Sequence, residues 1–247
     1  MTRPQPSVLV IDDNTDLAEN IGEILSDIGV DVHLATCADD AMACFDDRKW
    51  SLVVTDVRMP GIDGIELLAL IKERSPGTPV LVMTGYADRE TTARAHDSGA
   101  LAVINKPVDL DALLEMVEHV AAAEKPVLVL EDDVALIGNL TDLLREEQGV
   151  LPHPATNLAL ARKLAAVVDF RAALIDLRLP DGNGLALARE LLRRSDGSRR
   201  RVIIITGYPE ELSQAVRDDA QIDDDRLVVL AKPFQVPNLL EYLREMV

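Results

Sequence analysis

Short apolar runs alternate with longer amphipathic stretches along the whole chain. In the first half, the runs near 8–12, 31–34, 51–56, 79–84 and 101–105 are rich in Val, Leu and Ile and nearly continuous. That is the pattern of strands covered on both faces. The stretches near 15–28, 38–47, 63–74, 88–98 and 109–123 carry apolar residues at helical spacing. Short acceptor side chains mark helix starts: Asp13 or Asn14, then Asp63, then Asp109. Strand–helix alternation with short loops predicts an α/β fold with a parallel, doubly wound sheet.

The second half repeats the first. Val8-Leu9-Val10-Ile11-Asp12-Asp13 returns as Val127-Leu128-Val129-Leu130-Glu131-Asp132. The segment ending in Thr55-Asp56 returns as the one ending in Ile175-Asp176, Thr84-Gly85-Tyr86 as Thr206-Gly207-Tyr208, and Lys106-Pro107 as Lys232-Pro233. The offsets begin at 119 and end at 126, as small insertions in the second copy produce. A period of that size is a whole domain, not a solenoid unit. Two tandem (βα)5 domains are therefore expected, over 1–124 and 125–247, with Pro126 at the junction. Second-copy strands are expected near 127–131, 149–152, 171–176, 201–206 and 226–230. Between Pro209 and Arg226 the pattern is least regular, which predicts a short fourth helix and a long loop.

In an open parallel sheet the functional crevice lies beyond the C-terminal strand ends. Polar residues gather there. Asp12 and Asp13 close the first strand, Asp56 the third, Thr84 the fourth and Lys106 the fifth. The second copy offers Glu131, Asp132, Asp176, Thr206 and Lys232. Each element has a bland reading, such as a helix cap, a turn or a solvated lysine. Joint occurrence in order, twice, argues against those readings. Three carboxylates in one crevice repel unless a cation joins them. Oxygen ligands beside phosphate chemistry suit Mg²⁺. A carboxylate held there is placed to attack phosphorus, with the lysine and the hydroxyl stabilising the transferred group.

These motifs resemble the response-regulator receiver domains of two-component signalling, the CheY-like family. In the first copy the resemblance rests on VLVIDDN, VVTDVRMPGIDGIELL, VLVMTGYAD and INKP, whose wording is similar to NtrC-type receivers. In the second it rests on VLVLEDD, ALIDLRLPDGNGLALA, IIIITGYPEE and LAKPF. It implies phosphoacceptors at Asp56 and Asp176, switch hydroxyls at Thr84 and Thr206, and conserved-type lysines at Lys106 and Lys232. It also implies Mg²⁺ held by Asp12, Asp13 and Asp56 with the Arg58 carbonyl, and by Glu131, Asp132 and Asp176 with the Arg178 carbonyl. The Lys–Pro bonds are often cis in this family. Two features depart from its pattern: Glu131 stands for the commoner Asp, and Val103 and Val229 occupy the usual aromatic switch position.

The resemblance implies a phosphoacceptor signalling protein rather than an enzyme. Its partners are a sensor histidine kinase or histidine phosphotransfer protein and a downstream protein target. None of the four histidines lies in a convincing phosphotransfer motif, so the donor is expected to be a separate protein. The second copy's last helix is expected to reach Val247, leaving no room for an output domain. Two alternatives stay open. A haloacid-dehalogenase-like phosphohydrolase uses similar parts, but needs an Asp where Arg58 and Arg178 stand, and its acidic pair follows the nucleophile. A docking protein with one inactive receiver keeps the fold and loses half the chemistry.

A formal net charge of −18 repels duplex nucleic acid and membrane surfaces, so neither is an expected direct partner. No apolar run approaches the roughly 20 residues that span a bilayer, and a soluble, cytoplasmic chain is expected. Cys37 and Cys44 are expected to be buried, reduced thiols. A homodimer is left open.

Overall fold

The computed structural model describes residues 5–85, 88–123, 125–193, 200–209 and 226–246. The chain divides into two compact units, Met1–Ala123 and Glu124–Val247. Unit 1 runs β1 (Ser7–Ile11), α1 (Thr15–Asp27), β2 (Asp31–Ala35), α2 (Ala38–Asp46), β3 (Leu52–Asp56), α3 (Gly64–Arg74), β4 (Val80–Thr84), α4 (Arg89–Asp97), β5 (Ala102–Asn105) and α5 (Leu110–Ala122). Its five parallel strands take the order β2-β1-β3-β4-β5. The order reverses between β1 and β3, the place where such sheets open a crevice.

Unit 2 runs β6 (Lys125–Leu130), α6 (Val134–Arg145), β7 (Val150–Ala155), α7 (Leu158–Val167), β8 (Ala172–Asp176), β9 (Arg178–Leu179), β10 (Gly182–Asn183), α8 (Gly184–Arg193), β11 (Arg201–Thr206), β12 (Leu227–Ala231) and α9 (Val236–Met246). Its main sheet, β12-β11-β8-β6-β7, is the same parallel arrangement. The tandem (βα)5 architecture is thus the one expected from the sequence. The short fourth helix and long loop expected between Pro209 and Arg226 fall on residues 210–225, which lie outside the described residues.

Burial explains the continuous apolar strands. Val8, Leu9, Val10 and Ile11 are fully buried, and so are Val127, Leu128 and Val129. One face of β1 joins Leu67, Leu68 and Ile71 of α3 in a single core. In unit 2, Val127 and Val129 pack with Ile137 of α6 and Leu239 of α9. Helix starts are capped as expected. Asn14, rather than Asp13, accepts from Leu17 N, and Asp63 forms a full capping box with Glu66. Asp109 caps α5. At the other end of α3, the buried Lys72 Nζ donates to the carbonyls of Thr78 (2.7 Å) and Pro76 (3.3 Å). Burial pushes its ammonium down to about 7.

Three expectations need correction. β7 runs on through Pro152 and Pro154 to Ala155 instead of ending at 152. It is an edge strand, and Glu131 N donates to Ala155 O, so the odd-numbered residues bond inward and the prolines lie at outward positions. The first strand of the second copy, expected from 127, begins at Lys125, so Pro126 at the junction is the second residue of β6, paired with Leu151, and its carbonyl accepts from Arg171 N. The two cysteines are free but only half-buried, and Cys37 sits at the α2 N-cap without a side-chain cap bond. Among the described residues no helix is long and apolar enough to cross a membrane.

Candidate functional site

In each unit, residues far apart in sequence meet at the β1–β3 or β6–β8 crevice. Asp12, fully buried after β1, accepts from Asn14 N through Oδ1 (2.9 Å), which leaves Oδ2 for Lys106 Nζ at 2.7 Å. The same ammonium lies 2.9 Å from Oδ1 of Asp56. Exposed Asp13 completes a group of three carboxylates whose ligand atoms lie within 4.8 Å of one another. In unit 2, Lys232 Nζ reaches Glu131 Oε2 and Asp176 Oδ2, both at 2.7 Å. Glu131, Asp132 and Asp176 form the matching group. Glu131 spans the same gap with a longer arm, and its Oε1 accepts from Asp133 N at 3.3 Å.

The electrostatics follow from depth. Burial raises the Asp56 pKa and Asp12 adds to this, while the Lys106 ammonium opposes both. Burial alone would lower Lys106, but its bonds to Asp12 and Asp56 outweigh that and raise it. In unit 2 burial raises Glu131 against the pull of Lys232. Lys232 again ends raised, its burial outweighed by Asp176 and Glu131. A single cation satisfies two carboxylates at each site, and the third faces water.

The backbone fixes the position of each aspartate and lysine. Thr84 and Thr206, both buried, end β4 and β11. Their carbonyls accept from Lys106 N (2.7 Å) and Lys232 N (2.8 Å), which seats each lysine at the rim. Both Lys–Pro bonds are cis. Thr206 Oγ1 also accepts from Tyr208 N at 2.9 Å. A Cβ at Gly64 would sit 1.8 Å from the Asp56 carbonyl oxygen, and one at Gly184 would sit 2.0 Å from that of Asp176. Only glycine lets the following helix start so close behind the aspartate.

The loops after the aspartates differ. In unit 1, Arg58 lies exposed near Asp88, the α4 N-cap, whose carboxyl is held low mainly by the Thr91 amide. In unit 2 the loop forms the β9–β10 hairpin, and the Arg178 guanidinium lies 3.7 Å over the Tyr208 ring. Asp181 reaches across to α7, accepting from Leu158 N (3.1 Å) and Ala159 N (3.2 Å). Sequence reasoning missed Asp181, Gly64 and Gly184. The signal for Asp181 was present, since it stands where the first copy has Gly61.

The Response regulator receiver domain family profile matches residues 8–118 and again 127–244. The chain belongs to the response regulator receiver family. Each unit is one receiver. A response regulator receiver protein of Anaeromyxobacter sp. is 35% identical over 202 residues, covering 82% of this chain and 83% of that protein. The transcriptional regulatory protein ZraR of Escherichia coli O157:H7 is 35% identical over 167 residues, 64% of this chain but only 38% of its own length. Among solved structures, a CheY-like receiver from Methanospirillum hungatei is 30% identical and covers 48% of this chain and 94% of its own, with a TM-score of 0.46. Both receivers carry an acidic group of the kind that binds divalent cations.

Proposed function

We propose that both receivers accept a phosphoryl group on aspartate, Asp56 in the first and Asp176 in the second, in a Mg²⁺-dependent reaction. The observation that carries this reading is the lysine in each crevice, within 2.9 Å of both the acceptor and a buried acidic partner. Asp12, Asp13 and Asp56 with the Arg58 carbonyl would hold Mg²⁺ in the first receiver. Glu131, Asp132 and Asp176 with the Arg178 carbonyl would hold it in the second. The bound ion would neutralise charge on the phosphoryl oxygens.

The chain's own residues do the rest. An aspartate oxygen forms the new bond to phosphorus as the bond to the donor's nitrogen or oxygen breaks, and the leaving group takes the electron pair. Lys106 or Lys232 holds the phosphoryl group by charge, and Thr84 or Thr206 offers it a hydroxyl. Phosphorylation then biases a two-state domain toward a different surface. The donor is a sensor histidine kinase or a histidine phosphotransfer protein, and output runs through a downstream protein or onward phosphate transfer. The presence of the same residue set in both crevices favours this over a docking protein with one inactive half.

Acetyl phosphate with Mg²⁺, followed by intact mass, tests the proposal on wild type and on Asp56→Ala and Asp176→Ala. Two phosphoryl groups on wild type and one on each variant are expected. No gain on wild type, or labelling unchanged in both variants, sinks it. Steady turnover of a phosphomonoester would instead favour the phosphohydrolase reading.

A further inference from the structure

We infer that the open edge of the first receiver's sheet, beside α1, is a docking surface for an extended, basic segment of another protein. The inference is independent of the phosphoryl chemistry. β2 is an edge strand, and Asp31 N donates to Pro6 O at 2.8 Å. Alternate residues of a parallel strand face opposite neighbours, so the N–H groups of Val32 and Leu34 point away from the sheet. Leu34 is 41% exposed, an unusual state for a strand leucine beside a helix. Between this strand and α1 runs a groove of about 440 Å³, lined by Val32, Leu34 and Gly22 and flanked by Glu19, Glu23 and Asp27.

The second receiver shows what closing this edge looks like. By register, Pro152 and Pro154 of β7 replace Val32 and Leu34. Proline has no N–H, so that edge offers no donors at the outward positions. Both prolines are buried, and so is Thr141, which stands at the place of Gly22 on the covering helix. A Cβ at Gly22 would come within 3.1 Å of a Leu34 methyl, so its absence opens the groove. One copy is blunted in the way sheet edges usually are, and the other is left able to pair.

Charge decides the occupant. Three carboxylates spaced four residues apart on α1 form one wall. A second copy of this chain, at −18, would meet them with repulsion. An incoming strand with lysine or arginine flanking small apolar residues would pair with Val32 and Leu34 N–H, fill the groove and neutralise the wall.

The probe is a short synthetic peptide alternating valine and lysine, with a valine–glutamate peptide as its counterpart, added to the full chain. Amide hydrogen exchange should slow at Val32 and Leu34 with the lysine peptide only. Fluorescence anisotropy should show binding weakened about tenfold or more, roughly 1.4 kcal/mol, by Glu19→Lys with Glu23→Lys. These are exposed helix positions whose exchange should leave Trp50 fluorescence unchanged. Gly22→Thr, which copies the second receiver, should weaken binding similarly. Equal protection by the glutamate peptide overturns the inference, as does protection at another edge. So does slowed exchange at Val32 and Leu34 in concentrated protein without peptide, which would make a second copy the occupant.

Discussion

The two receivers hold the same reactive groups in the same order but brace them differently. In the first, the loop after Asp56 carries Gly61 at a φ of +89° with nothing near it. In the second, the equivalent loop is a hairpin pinned to α7 by Asp181 and covered where Arg178 stacks on Tyr208. The acidic partner of the lysine changes from Asp12 to Glu131. At the aromatic switch position Val103 packs against the first core, whereas Val229 is 40% exposed. The two copies share a set of carboxylate, hydroxyl and ammonium groups and differ in what surrounds it, so they should differ in how firmly the site is held.

The sharpest way to break this comparison is at the glycines they share. Gly64→Ala and Gly184→Ala should each cost about 3 kcal/mol or more, because the new Cβ would overlap a backbone oxygen that cannot swing away. Denaturant unfolding measures both, and Trp50, the only tryptophan, reports the first unit alone. A harmless alanine at either site would mean the aspartate's backbone is not held as described.

Next come the lysines. Lys106→Met should cost about 3 kcal/mol, since it leaves Asp12 and Asp56 facing one another at depth. It should also slow acetyl phosphate labelling of Asp56 about a hundredfold. Lys232→Met should destabilise less, because the extra methylene lets Glu131 turn toward water. Equal losses would remove the significance given to the Asp-to-Glu exchange.

Asp181→Ala should cost about 1 kcal/mol, the usual loss for a side chain serving helix N-terminal amides. The effect should appear in unfolding of the second unit and leave the Trp50 signal untouched. The smallest effect concerns pH. Asp56 has a folded pKa above its ordinary value, so its contribution to stability is fully present below the unfolded carboxylate range. That contribution is lost as pH rises through the folded value. Asp56→Asn should therefore stabilise the first unit at neutral pH, with the gain fading on acidification. Melts followed by Trp50 across that range check the sign.

Much of this was legible in the chain. Continuous apolar runs gave the strands because both sheet faces are covered, and the repeat offered two independent readings of every site residue. What escaped depends on spatial neighbours. Pro152 and Pro154 look like strand breakers until β7 is known to be an edge with those positions turned outward. Asp181 looks like an ordinary turn residue until α7 is known to begin beside it. Gly64 and Gly184 look like loop glycines, because nothing in the sequence shows how near the aspartate carbonyl passes. Half-burial of Cys37 follows from its place at a helix start, which the apolar pattern alone did not resolve.

Lys72 offers a practical handle. Its amine is sealed under the loop after α3 and engaged by two carbonyls. Amine-acylating reagents should pass over it in the native protein while marking the exposed lysines. Once the first unit opens, the nitrogen becomes as reactive as any other, so its acylation gives a permanent chemical record of how often that half of the molecule comes apart.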